Sequence, residues 1–169
     1  MAKRGNNILE VMFAADGQIV GKIRTQKIFY LLDQLGMNGG YEFSYHHYGP
    51  YSANLASQLD ANVMFGDDLD ECVQETKSGN AFSTFKLKSN NLEFLSVGDL
   101  TVQNARELIQ QMKNVSSVVI ELAATIHWLS AYEKIADWRE ELKVRKPQKA
   151  TDERIEKALN LLGTLGLEI

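Results

Sequence analysis

The segment from Tyr41 to Tyr51 carries most of the side chains that could contact a partner. It places seven aromatic or imidazole side chains around Gly49-Pro50: Tyr41, Phe43, Tyr45, His46, His47, Tyr48 and Tyr51. Aromatic side chains hold single-stranded nucleic acid only beside an electropositive groove, whereas tyrosine is also enriched at protein interfaces. Two interpretations stay open. The segment is either a partner-binding surface or a structural one, in which Phe43 and Tyr45 fill the core and the run from Tyr48 to Ser52 forms a tight turn.

The three histidines and one cysteine do not form a recognisable catalytic or metal-binding pattern. His46 and His47 are adjacent in an extended segment, so their side chains point to opposite faces and do not share one metal ion. His127 lies in an apolar helix, where we expect a hydrogen-bonded core histidine. Cys72 stands among acidic residues, which do not favour a reactive thiolate. The sequence therefore predicts no catalytic residue, no metal and no cofactor.

An acidic cluster follows Gly66 and consists of Asp67, Asp68, Asp70 and Glu71. Carboxylates hold Mg²⁺, which raises the possibility of a nuclease site. A nuclease also needs a nearby cation, and no lysine or arginine stands close in the sequence. A solvated loop or an acidic docking surface is the favoured interpretation.

Charge is distributed unevenly along the first half of the chain. The chain carries a net charge of −4, and eight acidic residues but no lysine or arginine lie between Lys27 and Lys77. Phosphate backbones are bound by lysine and arginine, so this stretch is a poor nucleic-acid surface. Basic residues cluster twice: in Lys3, Arg4, Lys22, Arg24 and Lys27, and in Arg139, Lys143, Arg145, Lys146 and Lys149. Either cluster could contact phosphate, but a solvated face is favoured for both.

The chain has 169 residues and one cysteine. This length predicts a single domain, and the lone cysteine indicates a reducing compartment. No apolar run approaches the ~18–20 residues of a membrane span, and the first residues have no apolar core of signal-peptide length. We expect a soluble cytoplasmic protein.

The elements that must position these residues are mostly helices. Apolar spacing predicts helices over 7–15, 24–35, 53–64, 101–113, 117–131, 132–143 and 151–165. Strands are predicted over 41–45, 69–75 and 81–88, the last two forming a β-hairpin. The expected N-caps are Thr25, Ser52, Thr101 and Thr151. The fold class is α+β, mostly α. Within one domain, a winged-helix-like half over 1–98 with a small β-hairpin packs on a helical half over 99–169.

Two motifs carry a resemblance to a bacterial family. The helix Arg24-Thr25-Gln26-Lys27-Ile28-Phe29-Tyr30-Leu31-Leu32 is followed by Phe43, by Tyr48-Gly49-Pro50-Tyr51-Ser52, and by Leu55 and Leu59. This order resembles the uncharacterised YwgA-type proteins and, more distantly, the SocA-like antitoxins that contain the Panacea domain. Glu121 to Ile126 and Arg154 to Leu159 also resemble the C-terminal half of the YwgA-type proteins.

The resemblance implies a non-enzymatic role, since the family has no assigned catalytic residues. SocA-like antitoxins pair with varied toxins in prophage and mobile-element settings, and they restrain a toxin or deliver it to a protease. The extended helical C-terminal half of this chain departs from the shorter antitoxin form.

The first functional hypothesis is therefore an antitoxin-like interaction module, in a bacterial toxin–antitoxin or phage-defence setting. Its partner would be a protein, such as a basic toxin, because an acidic face complements a basic one. The candidate partner-binding residues are Tyr45, His47, Tyr48, Tyr51, Asp60, Asp67 and Asp68. No membrane partner is expected, and a homo-oligomer is possible.

The alternative hypothesis is a winged-helix DNA-binding transcriptional regulator. Its possible nucleic-acid contacts are Lys22, Arg24, Lys27, Lys77, Lys86 and Lys88. In such folds a recognition helix enters the major groove. Here the helix expected over 53–64 carries Asp60 and no lysine or arginine, which disfavours direct readout of DNA.

Overall fold

The computed structural model describes residues 7–169. The helices in that range are α1 (Asn7–Ala14), α2 (Lys22–Gln34), α3 (Ala53–Phe65), α4 (Val102–Lys113), α5 (Ser117–His127), α6 (Trp138–Arg145) and α7 (Asp152–Leu165). A π-helical turn over Trp128–Tyr132 continues α5. The predicted class, α+β and mostly α, is confirmed for these residues.

Short antiparallel strands complete the fold. The strands are β1 (Gln18–Val20), β2 (Ser44–His46), β3 (Gly49–Tyr51), β4 (Leu69–Glu75), β5 (Ala81–Leu87), β6 (Ser96–Val97) and β7 (Leu100–Thr101). A three-stranded sheet has the order β1-β5-β4, while β2 pairs with β3 and β6 pairs with β7. The predicted β-hairpin is confirmed as β4 and β5, which pair from Leu69 opposite Leu87 to Glu75 opposite Ala81.

Three of the four predicted N-caps are confirmed. The side chains of Ser52, Thr101 and Thr151 each accept a hydrogen bond from the backbone N–H three residues later, which satisfies a donor that the first helical turn leaves free. The prediction for Thr25 is wrong. Helix α2 begins earlier, at Lys22, and the Thr25 hydroxyl donates back to the carbonyl oxygen of Gly21.

Two predicted elements differ from the structure. The strand expected over 41–45 is confined to β2, because the preceding residues run as irregular chain along the core. The helix expected over 132–143 starts only at Trp138, where the Asp137 side chain accepts from the Glu140 N–H. The intervening chain follows the π-helical turn and carries Lys134 with a φ of 54°, a conformation that interrupts a right-handed helix.

Helix α5 lies at the centre of the packing. All its residues from Val119 to His127 are buried, as its almost wholly apolar sequence predicts. It packs between α2 and α7, and the buried apolar residues of both halves of the chain form one continuous core. Because residues from both sides of position 98 share this core, the second half of the chain packs against the first half and supports it.

No single helix among residues 7–169 is both long enough and apolar enough to cross a membrane. Together α4 and the stretch Ser117–Tyr132 meet those criteria by length and composition, but the pair is bent by 115° at its break.

Candidate interaction site around the YGP hairpin

The two motifs singled out in the sequence contact each other directly. Strands β2 and β3 with their turn form the YGP hairpin (residues 44–51), which lies against α2 and α5. The Gln26 side chain accepts from the Ser52 N–H at 2.9 Å and donates to the Ser52 carbonyl oxygen at 3.0 Å. The Lys27 Nζ donates to the Pro50 carbonyl oxygen at 2.6 Å. Helix α2 thus fixes the end of the hairpin and the start of α3.

A buried charge cluster supports the same hairpin from the other side. Glu121 on α5 accepts from the Lys146 Nζ at 2.8 Å and from the Lys149 Nζ at 3.0 Å. The side chains of Glu121 and Lys146 are almost fully buried, and Lys146 also donates to the His47 carbonyl oxygen at 2.9 Å. The Lys149 ammonium lies 4.7 Å from the ring centroid of Tyr48. We call these three charged residues the Glu121 cluster.

Lys27 lies beside this cluster and is only 1% exposed. Burial lowers the pKa of Lys27 to about 7; the carboxylate of Glu121 opposes this shift, and the charges of Lys146 and Lys149 add to it. Near neutral pH the ammonium is therefore partly deprotonated. Two buried lysines, Lys27 and Lys146, and the half-buried Lys149 surround one carboxylate, and the loss of one proton relieves that excess positive charge.

Gly49 allows the hairpin to approach α5 closely. It has a φ of 90°, and a Cβ atom there would collide with the Oγ1 of Thr125. That hydroxyl donates to the Glu121 carbonyl oxygen. Only glycine combines the positive φ with the missing side chain, so the hairpin rests on the backbone of α5.

A pocket of about 310 Å³ opens between α2, α3 and the YGP hairpin. Most of its exposed wall is apolar surface, and its polar lining residues are Lys22, Gln26, Lys27, Tyr48, Tyr51 and Asp60. The structure therefore brings together Tyr48, Tyr51 and Asp60 from the predicted partner-binding set. Apolar pockets with a few convergent polar groups are typical binding sites.

The other predicted partner-binding residues lie around this pocket or beyond it. Tyr45 is half-buried, and the Arg145 guanidinium lies 4.6 Å from its ring centroid. Burial raises the pKa of Tyr45, while the hydrogen bond and charge of Arg145 oppose that shift. His47 is exposed in the turn of the hairpin; Asp67 is exposed and Asp68 half-buried at the approach to β4.

Two large apolar side chains at the end of α3 extend the site, and the sequence reasoning missed them. Met64 is 72% exposed and Phe65 is 83% exposed. They stand in the sequence between Asp60 and the pair Asp67 and Asp68. We call these five residues the α3–β4 face. The sequence did offer an indication of their exposure. The inward-facing stripe of α3 ends with Val63, so the two apolar residues that follow it, directly before Gly66, have no place in the core.

The structure gives two of the predicted nucleic-acid contacts, Lys27 and Arg24, structural partners within the protein. The Lys27 ammonium is buried against Pro50 and cannot reach a phosphate. The Arg24 guanidinium donates to the carbonyl oxygens of Met112 and Val115 at 3.0 and 2.8 Å, so it satisfies the end of α4 and the following loop. Burial lowers its pKa.

The remaining basic candidates lie on the surface. Lys22 is exposed and lies 3.6 Å from a Glu71 carboxylate oxygen. Lys77, Lys86 and Lys88 are exposed on the β4–β5 hairpin, whereas Lys3 and Arg4 lie outside the described residues. The second basic cluster was expected to be a solvated face or a phosphate site. Lys146 fits neither expectation, because it is buried against Glu121.

His127 occupies the environment expected of a core histidine, whereas His46 and His47 do not. His127 Nδ1 lies 2.7 Å from the Tyr30 hydroxyl in the core, and burial lowers its pKa. His46 and His47 are both exposed. Among residues 7–169 no three His, Cys, Asp or Glu side chains are placed to hold a metal ion together.

The chain is similar to two proteins. It is 27% identical over 165 residues to the uncharacterized protein YwgA of Bacillus subtilis, and the match covers 98% of each chain. It is 26% identical over 153 residues to a DNA ADP-ribosyl glycohydrolase of Thermus aquaticus, a match that covers 83% of this chain and 39% of that protein. No protein-family model matches. The YwgA-type resemblance is therefore supported, and the SocA-like one stays a prediction.

Proposed function

We propose that the protein is a non-enzymatic, antitoxin-like interaction module that binds a basic partner protein through the α3–β4 face and the adjoining pocket. One observation carries the proposal. Met64 and Phe65 are highly exposed at the end of α3, in a stretch of sequence that holds eight acidic residues and no lysine or arginine.

The chemistry of the α3–β4 face indicates the kind of partner. Exposed apolar side chains rimmed by polar residues mark interaction sites, and large apolar anchors supply much of the binding energy of an interface. Asp60, Asp67 and Asp68 add negative charge beside those anchors. A partner with an apolar patch and a basic rim would complement both features, and a toxin that itself binds nucleic acid has such a rim.

The scaffold fixes the start of α3, the helix that leads to this face, before any partner binds. The Ser52 hydroxyl caps α3, and Gln26 binds both backbone groups of Ser52. The hairpin that precedes α3 rests on Lys27 and on the Glu121 cluster. Pre-organisation reduces the entropy lost on association, which suits a surface that recognises one partner tightly.

The relatives are compatible with a binding role. Nearly the whole chain is similar to YwgA, whereas its match covers only 39% of the glycohydrolase. Restraint or delivery of a partner in a toxin–antitoxin or phage-defence setting is the corresponding role for this chain.

A DNA-binding regulator is the alternative for this fold. The order α1-β1-α2-β2-β3-α3-β4-β5, with the sheet order β1-β5-β4, is compatible with a winged-helix arrangement interrupted by the YGP hairpin, and α3 would then be the recognition helix. That helix carries Asp60 and no cation, whereas major-groove readout and phosphate contacts depend largely on arginine and lysine. The protein-binding role is therefore favoured.

Hydrolysis of DNA-linked ADP-ribose is a third candidate, supported only by the similarity to the glycohydrolase. It is tested by incubating the purified protein with ADP-ribosylated duplex DNA and measuring released ADP-ribose. We expect no release above the background of DNA alone. Release that is lost in Asp60→Asn, a change at the pocket of the YGP hairpin, would show an enzyme instead.

The interaction proposal is tested by affinity purification from the protein's own host at low salt, after nuclease treatment. The wild-type protein is compared with Met64→Ser/Phe65→Ser and with Val144→Ser, which changes a 72% exposed side chain on α6. We expect one stoichiometric protein partner that is lost with the double variant and kept with Val144→Ser. Equal retention by all three proteins, or recovery of nucleic acid alone, would contradict the proposal.

A further inference from the structure

A second concave site lies where the C-terminal ends of α2 and α5 meet. Its volume is about 580 Å³, and its wall includes four aromatic and two acidic side chains: Tyr41, Phe43, Trp128, Tyr132, Asp33 and Glu42. We call it the Trp128 pocket. Its lining contains no lysine or arginine, so its aromatic surface lies in a negative environment. It differs from the pocket of the YGP hairpin in every lining residue.

The π-helical turn creates the aromatic wall of this pocket. The Glu133 N–H donates to the Trp128 carbonyl oxygen at 3.1 Å, an i→i+5 hydrogen bond. The wider turn stacks the rings of Trp128 and Tyr132 with centroids 4.6 Å apart and planes 15° from parallel. Single π-helical turns occur frequently at functional sites. Here the turn produces a paired aromatic surface where α5 would otherwise continue.

Neighbouring residues hold this aromatic surface in position. The Gln34 amide donates to the Tyr132 hydroxyl at 3.2 Å, and Tyr30 packs edge-on against Phe43 with ring centroids 5.2 Å apart. Tyr30 is itself fixed by its contact with His127 in the core. The aromatic walls are therefore built before any ligand enters.

The acidic side chains make the electrostatic potential of the pocket negative. Asp33 accepts from the Gly39 N–H through one carboxylate oxygen at 2.8 Å, which orients the group at the pocket wall. Glu42 is exposed beside it. Burial, then the charges of Asp33 and Glu10, raise the pKa of Tyr41, so its hydroxyl remains neutral in a negative field. Nearby Glu133 already pairs with Arg145 at 2.7 Å.

We propose that the Trp128 pocket binds a guanidinium group. A planar guanidinium stacks on aromatic faces and donates several parallel hydrogen bonds to carboxylates, and cation–π attraction is strongest with tryptophan. The stacked pair Trp128 and Tyr132 supplies the aromatic face, Glu42 supplies the acceptor carboxylate, and Asp33 adds negative charge at the wall. The group could belong to a free small molecule or to an arginine side chain of a peptide. This site is independent of the α3–β4 face and of the partner proposed for it.

Fluorescence provides a direct test, because the chain has two tryptophans. In a Trp138→Phe background, Trp128 is the sole indole and reports on its own pocket. The probes are N-acetyl-arginine amide and its neutral isostere N-acetyl-citrulline amide, and calorimetry on the same samples detects binding that leaves the emission unchanged. We expect saturable binding of the arginine probe and at least about fivefold weaker binding of the citrulline probe.

Variants separate the pocket from general electrostatic attraction. Glu42→Gln and Tyr132→Leu each remove one recognition element at an exposed side chain, and we expect each to weaken binding about fivefold. Glu75→Gln removes the same charge at the β4–β5 hairpin, and we expect unchanged binding. Tyr132→Phe keeps the ring and should keep binding. Equal affinity for both probes, or a loss of the same size in Glu75→Gln, would overturn the proposal.

The source of the guanidinium follows from a further comparison. Methylguanidinium and a short arginine-containing peptide are titrated against the same protein. Similar affinities would identify a small-molecule site, whereas tenfold or tighter binding of the peptide would identify recognition of an arginine side chain. No saturable binding of either compound, by fluorescence and by calorimetry, would overturn the proposal.

Discussion

The Nζ atom of Lys27 lies 2.6 Å from the carbonyl oxygen of Pro50, and this hydrogen bond joins the two motifs that stand out in the sequence. A lysine that appeared available for phosphate is instead a buried support for the YGP hairpin. Its surroundings contain Glu121, Lys146 and Lys149. Lys27 and Gln26 therefore support the hairpin from below, while the hairpin residues Tyr48 and Tyr51 line the pocket of the candidate interaction site.

Lys27 predicts an unusual dependence of stability on pH. Its folded-state pKa is about 7, well below the usual 10.5, so between these values the unfolded chain binds more protons than the native one. The free energy of unfolding then rises with pH. Between pH 7 and pH 9.5 this residue should add about 3 kcal/mol, measured by urea unfolding across that range.

A variant isolates this contribution. In Lys27→Met the rise should disappear from the pH profile, whereas Lys86→Met, at an exposed position, should retain it. The range stops at pH 9.5 because burial raises the pKa of Tyr30, and ionisation of that tyrosine in the unfolded chain destabilises the protein above about pH 10. Parallel profiles for wild type and Lys27→Met would contradict the assignment.

Local sequence patterns were sufficient for most of the fold. Ser52, Thr101 and Thr151 each precede an apolar periodic run, and each proved to be an N-cap. The β4–β5 hairpin follows from two strand-like runs around a turn. Helix α6 was misplaced because Tyr132 continues the apolar spacing of α5, whereas the backbone widens to a π-helical turn there. That change depends on tertiary packing around Tyr30 and Phe43.

The candidate site was less accessible to sequence reasoning. A single carboxylate, Glu121, in an apolar helix requires a buried cation, and this could have been inferred. Its partners Lys146 and Lys149 stand 25 and 28 residues later, beyond any local pattern. A charged residue alone does not reveal whether its side chain faces water, which is why Lys27 and Arg24 were placed among the nucleic-acid contacts.

Gly49→Ala should destabilise the protein by about 2–4 kcal/mol, because a positive φ and a collision with the Thr125 hydroxyl add together. Gly79→Ala is a matched control with a φ of 86° and open space around the Cβ position, and it should cost only about 1 kcal/mol. Thermal unfolding of both variants gives the comparison. Equal losses would show that the hairpin does not rest on α5.

The Glu121 cluster should behave as a unit. Glu121→Met leaves two lysines without their carboxylate and should lower the free energy of unfolding by about 3–5 kcal/mol. Lys146→Met alone should cost a similar amount, but Glu121→Met/Lys146→Met should cost clearly less than the sum of the single changes. A double-mutant cycle by urea unfolding measures this coupling. Additive losses would show that the two groups are energetically independent.

Arg24 distinguishes a structural role from a nucleic-acid role for the first basic cluster. Its guanidinium satisfies the carbonyl oxygens of Met112 and Val115, so Arg24→Gln should lower the free energy of unfolding by about 2 kcal/mol. The exposed Lys22, two residues earlier, pairs at 3.6 Å with Glu71, and Lys22→Gln should change stability by less than about 1 kcal/mol. Urea unfolding of both variants provides the measurement.

The binding of duplex DNA at low salt, measured for the same variants as the unfolding curves, completes the comparison of Arg24 and Lys22. Because the Arg24 guanidinium is already engaged by backbone carbonyls, Arg24→Gln should leave any weak, nonspecific retention of DNA unchanged. Lys22 has an exposed ammonium, so Lys22→Gln could reduce such retention through charge alone. If Arg24→Gln reduced retention while leaving stability intact, Arg24 would be a phosphate contact and the DNA-binding interpretation of this fold would gain support.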